Sequence, residues 1–303
     1  MTARPFRFGL QVAQAASRRE WKEQARRAED FGFDTVVIGD HIEQAFSPMV
    51  ALTTMAEATD QLRVGTLTLN NDFRHPSLLA REAATIDLLT DGRLELGLGA
   101  GHSAPEYAEI GLGFDRAGVR VARLEESARL LRRLFDGDEV TFDGAHYHVV
   151  AHRLWPLRRL RFLIGGNGDR VLQLAASVAD IVGFTGLGRT LPDGQNHAIE
   201  WETRQIDAKV ALVRKAAGTR LDELELNALV QYVDITTDRR ASAERVGTRL
   251  GVEAEIVLGA PYMLIGTVDE IADQIHRARE RWGYSYFVTR DAEQTAPIIA
   301  ALR

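Results

Sequence analysis

The chain contains no cysteine. That removes disulfide frameworks, thiolate nucleophiles and thiolate-bound zinc together, so its chemistry must come from other side chains or from a bound organic group. Lysine is nearly as scarce: the 37 basic residues are arginine except for Lys22, Lys209 and Lys215. These basic residues are interspersed among acidic ones and the net charge is −6, so no basic stripe for nucleic acid exists. No apolar run approaches the ~20 residues that span a bilayer. Met1 to Phe8, interrupted by Arg4 and Arg7, is too short for a signal segment, and the expected location is the cytoplasm. Linkers of low complexity and internal repeats are also missing, which leaves a single domain over residues 1–303.

What remains is a globular composition, 45% hydrophobic and 26% charged, able to build a sizeable core. Short β-branched or apolar runs near 6–12, 35–39, 62–69, 93–99, 161–165, 180–184, 225–233 and 284–288 alternate with stretches of helical period. Trp21, Ala25, Ala28 and Phe31 share one helical face, as do Leu124, Ala128, Leu131 and Phe135, and Ile271, Ile275, Ala278 and Trp282. Gly32 and Gly92 stand just past a helix and before a strand, where a helix stop belongs.

Eight βα units predict a (β/α)8 TIM barrel, and the length suits one. The rival, an open doubly wound sheet, would carry a glycine-rich turn after its first strand, and Leu10-Gln11-Val12-Ala13 has no glycine. Two insertion segments are expected at the C-terminal face. Residues 136–150 alternate polar and apolar around Asp143-Gly144 and predict a hairpin; residues 239–261 predict a helical pair able to form a lid before Tyr262–Gly266.

Barrels of this kind place their sites at the C-terminal ends of the strands. That selects Gln11, Asp40-His41, Asn70-Asn71, Gly99-Ala100-Gly101-His102, Gly165-Gly166-Asn167-Gly168 and Thr185-Gly186. An imidazole at His41 suits a general acid, although a surface histidine with Asp40 capping the next segment reads equally from these residues alone. Gly165 to Gly168 form a strand-to-helix turn whose N–H groups can hold a phosphate without lysine; a tight turn is the plainer alternative. Gly97 to His102 lack the completed dinucleotide fingerprint. Their small side chains would admit a flat ring to the backbone, or merely pack the rim. The 62–70 run by itself is a core strand.

Taken in order and spacing, residues 35–41, 65–70, 92–101, 162–168 and 263–278 resemble the luciferase-like flavin and deazaflavin oxidoreductases over nearly the whole chain. The ending Arg281-Trp-Gly-Tyr-Ser-Tyr-Phe-Val is similar to the branch that uses coenzyme F420, an 8-hydroxy-5-deazaflavin. The resemblance implies that Asp40 and His41 sit beside the ring, with His41 in the active position. It implies a non-proline cis peptide at Leu67-Thr68 supporting the ring's face. Asn70 would meet the ring edge, Gly99, Ala100, Gly101 and His102 would line the far side, and Gly165, Gly166, Asn167 and Gly168, with Thr185 near by, would hold the phosphate. Gln11 would lie on the substrate side. Many relatives carry Trp or Glu after Gly101; here His102-Ser103-Ala104-Pro105-Glu106 follows, so His102 or Glu106 would stand in as acid or base.

The activity implied is hydride transfer between reduced F420 and a small or medium organic substrate with an activated C=C or C=N bond, His41 protonating the product. An oxygen-dependent monooxygenase using reduced FMN is the alternative, and a non-catalytic flavin binder is a third reading. A metal-dependent hydrolase built on His41 and His102 fits poorly, because Leu10-Gln11-Val12 lacks the paired histidines such barrels carry there; no metal is expected. A homodimer through helices around 48–60 and 76–90 is also implied by the resemblance.

Overall fold

Eight parallel strands close on themselves in chain order: β1 (Arg7–Val12), β2 (Thr35–Ile38), β3 (Arg63–Thr66), β4 (Leu94–Gly99), β5 (Arg161–Gly165), β6 (Ile181–Phe184), β7 (Glu225–Leu229) and β8 (Tyr284–Thr289). The structure, a computed structural model, describes residues 4–43, 46–191 and 196–303. Met1 to Ala3, at the start of the N-terminal segment considered above, lie outside the described residues. β8 pairs with β1 through Arg7–Tyr286 to Leu10–Thr289, and the β3–β4 contact, Val64–Leu94 and Gly65–Glu95, completes the circle. Gly65 is needed at that contact: a Cβ there would lie 2.6 Å from the Glu95 carbonyl oxygen. The TIM barrel expected from the eight alternating units is what the chain forms.

Strand residues alternate inward and outward. Val37, Leu67, Leu163, Ile181, Leu229, Tyr286 and Val288 form the barrel's own interior, while Phe8, Leu10, Val36, Ile38 and Leu96 join the larger core beneath the helices. The helical faces read from spacing are the buried ones: Trp21, Ala25 and Ala28 on Arg18–Asp30, and Ile271, Ile275, Ala278 and Trp282 on Val268–Trp282. Gly32 and Gly92 take positive φ, 83° and 80°, at the stops.

A network of charges fills the N-terminal end of the barrel. Glu95, 3% exposed, accepts from Arg7 at 2.5 Å and Arg63 at 2.8 Å; Glu225 accepts from Arg7 at 2.7 Å and Arg161 at 2.6 Å. Burial alone would raise the Glu95 carboxyl, but Arg7, Arg161 and Arg63 outweigh it and hold it below the usual carboxylate range.

Two expectations change in detail. The 62–69 run breaks after Thr66, and Leu69–Asn70 rejoins the sheet against Leu98 and Gly99. The 225–233 run is two strands, for Tyr232–Ile235 leaves the barrel to pair in parallel with Met263–Gly266. The helical pair exists as Arg239–Leu250 and Ala254–Gly259, packed on Met263–Gly266, with Gln274 Nε2 donating to the Ala260 carbonyl at 3.0 Å.

The expected hairpin is present as Glu139–Asp143 and His148–Arg153. Its tip is held by Glu126, which accepts from the N–H groups of Ala145, His146 and Tyr147. A second excursion, Leu187–Thr190 against His197–Ile199, had no counterpart in the sequence reading.

Candidate active site

The C-terminal mouth of the barrel encloses a cavity of about 340 Å³. Gln11, Asp40, His41, Leu67, Thr68, Asn70, Gly99, Ala100, Gly101, His102, Glu106, Gly165, Gly166, Asn167 and Thr185 all line it. Gly168 does not; it caps the helix Asp169–Val178. Among the described residues, none of 239–261 lines it, so the segment read as a possible lid lies away from this wall. The excursion after β6 takes that place with Leu187, Gly188 and His197.

His41 leaves the end of β2, and the short helix Ala104–Glu109 brings Glu106 across to it, with Oε1 2.7 Å from Nδ1. A carboxylate acceptor requires the hydrogen on Nδ1, which leaves Nε2 as the nitrogen able to take up or give a proton. Glu106, expected to stand in for an absent acid or base, lines the cavity and is hydrogen-bonded to His41, whose ring it orients.

Asp40 does not orient the imidazole. Its two oxygens are held by Arg74, at 2.5 and 3.2 Å, and the Asn70 N–H donates to the same carboxylate at 3.0 Å. The adjacent side chains thus divide the work, Asp40 pinning the loop and His41 facing the cavity. Asn70 Oδ1 accepts from the Asp72 N–H at 3.1 Å and from the Tyr107 hydroxyl at 3.0 Å, which leaves its amide nitrogen without a partner among the described residues.

The Leu67-Thr68 peptide is cis, as the resemblance implied. Leu67 turns into the barrel interior. Thr68 leans over the rim: a Cβ on Gly99 would lie 2.6 Å from its Oγ1, and one on Gly165 2.9 Å from its Cγ2. These two glycines therefore make room for Thr68, which is rim packing, while their backbones still form the cavity wall.

The Gly165–Gly168 turn is tied down by its own asparagine. Asn167 Nδ2 donates to Thr185 Oγ1 at 2.9 Å and to the Leu187 carbonyl, which commits the Asn167 amide to the turn; Thr185 Oγ1 also accepts from the Leu187 N–H at 3.3 Å and keeps its own hydroxyl hydrogen for a ligand. The Gly166 N–H is also taken, by the Gly183 carbonyl at 3.1 Å. The N–H groups of Gly168, Asp169, Arg170 and Val171, at the start of the helix, meet no acceptor among the described residues. Of the proposed phosphate-binding turn, it is this helix end that remains open.

His102 stacks edge to face between His41, 5.7 Å away, and His197, 4.9 Å away. Desolvation of its ring, and then the neighbouring imidazoles of His197 and His41, push its pKa down to about 4. At neutral pH its ring is uncharged. Arg290, Gln231 and His197 also line the cavity and were missed by sequence reasoning. A Pro192-Asp193-Gly194 turn between two short β-like runs was the available signal for His197; those turn residues lie outside the described ones.

Residues 2–286 match the family model described as luciferase-like monooxygenase. A protein of Nakamurella multipartita named F420-dependent glucose-6-phosphate dehydrogenase is 30% identical over 297 residues, covering 93% of this chain and 84% of its own length. Among solved structures, an F420-dependent secondary alcohol dehydrogenase in complex with an F420-acetone adduct superposes with a TM-score of 0.77 at 20% identity, over 99% of this chain and 100% of that one. An EDTA monooxygenase from Chelativorans sp. BNC1 does so at 0.76 and 14% identity, over 98% and 94%. Both structural likenesses speak for the fold alone. The matched length and the full-length relative together establish that this chain belongs to the luciferase-like monooxygenase family.

Proposed function

We propose that the protein is a coenzyme F420-dependent oxidoreductase that moves a hydride between the reduced deazaflavin and a small or medium organic substrate. The observation that carries the reading is the His41–Glu106 pair at the mouth of a cavity walled by Leu67-Thr68 and Gly99 to Gly101. The full-length relative named for F420 supports the choice of cofactor.

The residues present fit such a group. Gly99, Ala100 and Gly101 line the cavity together with Leu67 and Thr68 as a wall of low relief, which suits a flat ring, and the open N–H groups at Gly168 to Val171 suit a phosphate. When bound, a reduced deazaflavin supplies hydride and activates oxygen poorly, because carbon replaces the flavin's reactive ring nitrogen.

This chain's own residues hold and move the proton that accompanies the hydride. Glu106 fixes the His41 tautomer, and Nε2 of His41 gives a proton to the anion left on an activated C=C or C=N bond, or takes one in the reverse direction. His102, uncharged at neutral pH, completes the polar wall without competing as an acid. Among the described residues no helix is long and apolar enough to cross a membrane, and we read the protein as a cytoplasmic homodimer acting on a small molecule.

Calorimetric titration of the protein with F420 and with FMN tests the proposal. Tighter binding of F420, and substrate reduction at the same rate with and without oxygen, are expected. Equal or tighter FMN binding with oxygen-dependent turnover would replace it with the FMN monooxygenase reading.

A further inference from the structure

Arg290 follows β8 directly and reaches into the mouth between two glutamines. Its Nε donates to Gln11 Oε1 at 2.7 Å and its Nη1 to Gln231 Oε1 at 3.0 Å. Each glutamine is fixed in turn by backbone: Gln11 Nε2 donates to the Leu67 carbonyl at 3.2 Å, and Gln231 Nε2 to the Thr185 and Leu229 carbonyls at 3.3 Å each. Both amide oxygens are thereby aimed at the guanidinium. They orient it, and being neutral they leave its charge to the solvent in the mouth, where Arg290 is exposed.

Charge accounting around the cavity singles this group out. Asp40 is held by Arg74 and Glu106 by His41, so both acids that line the wall are already engaged. Among the described residues no carboxylate lies within ion-pair distance of Arg290, and Nη2 keeps both of its hydrogens uncommitted. A planar fork of donors, always charged and held at a fixed angle, matches a carboxylate.

Position separates this from the phosphate turn. β8 lies between β7 and β1, three strands around the barrel from the β5 turn at Gly165–Gly168. It is close to the proton-moving pair instead. A Cβ on Gly39 would stand 3.6 Å from Gln11 Nε2 and 3.2 Å from His41 Cδ2, so Gln11 bridges the space between Arg290 and His41.

We propose that Arg290, set by Gln11 and Gln231, anchors a carboxylate of the substrate, and that the protein therefore acts on small organic acids. The substrate role rests on the oxidoreductase reading; the anchor itself is measurable without cofactor.

The test is calorimetry on the full chain with benzoate, benzamide and inorganic phosphate, each without cofactor, followed by F420 as a separate titration. Benzoate is expected to bind and its neutral amide not to. Arg290→Gln should weaken benzoate about tenfold to a hundredfold, the scale of charge-assisted hydrogen bonds, while Arg290→Lys, keeping charge but losing the fork, should fall between. Thermal melts of both variants confirm that they fold, and the Lys variant keeps the comparison if the Gln variant does not. Benzoate affinity unchanged in either folded variant, or benzamide binding as tightly as benzoate, would overturn the anchor. Phosphate binding with Arg290 dependence in place of benzoate would overturn the carboxylate assignment. Failure of F420 to bind would remove the proposed function and leave the benzoate result standing on its own.

Discussion

Glu106 lies 65 residues from His41 in the chain, yet its Oε1 stands 2.7 Å from the imidazole Nδ1. The pairing makes the orientation of His41 depend on a second element. His41→Ala is expected to lower single-turnover substrate reduction by about a hundred- to ten-thousand-fold, the range of a general acid, with F420 affinity little changed. Glu106→Gln keeps an acceptor toward Nδ1 and should lose far less than Glu106→Ala. A His41→Ala rate within a few-fold of wild type removes the residue from the mechanism.

Asp40 should behave differently from its neighbour. Removing its carboxylate strands Arg74 and the Asn70 N–H, so Asp40→Ala is expected to cost about 2 kcal/mol of stability, as for hydrogen bonds to a charged group. Denaturant melts read this directly, and an unchanged midpoint would show that the clamp contributes nothing.

Two glycines of the β5 turn separate folding from ligand binding. Gly166→Asp forces a Cβ to within 2.8 Å of Val171 Cγ1, so it should destabilise the helix end as well as reduce binding. Gly168→Asp meets nothing within 4 Å and places a good cap at the helix start. It should melt at or above the wild-type temperature while weakening F420 through charge repulsion. Full F420 affinity in Gly168→Asp would move the phosphate elsewhere.

The lowered pKa of His102 has a signed consequence. Between about 4 in the folded chain and 6.5 unfolded, the unfolded state binds more protons, so stability rises with pH through that window and falls on acidification. His102→Gln removes this contribution. Urea midpoints at a series of pH values from 4.5 to 7 should therefore decline less steeply in the variant, the open edge of the ring moderating the difference. Parallel declines would show that His102 titrates normally.

Helices Pro48–Ala56 and Pro76–Leu89 expose Val50 at 70%, Leu78 at 59% and Leu89 at 65%. Apolar side chains this open on neighbouring helices suit a self-complementary interface. Light scattering is expected to give a dimer for the wild type and a monomer for Val50→Asp with Leu78→Asp. A wild-type monomer at micromolar concentration ends the proposal.

The barrel was legible because each strand is a short apolar run and each helix shows its period, and because glycine marks the stops at Gly32 and Gly92. The broken third strand was not legible in its own residues: Leu62 to Asn70 reads as one continuous strand, and only family likeness marked Leu67-Thr68. Site loops were found by counting to strand ends. Who holds whom was not, since Glu106, Arg74, Gln231 and Arg290 reach their partners from distant parts of the chain. Spacing carries no trace of contacts made by closing a barrel. Glu95, set between Leu94 and Leu96 in a buried strand, was the visible hint of the charged network below.

That network, Arg7, Arg63 and Arg161 locked onto Glu95 and Glu225 beneath the interior side chains, gives the barrel a sealed bottom. The cavity at the other end is therefore reached from the C-terminal mouth, onto which His41, Arg290 and the turn at Gly165 all open.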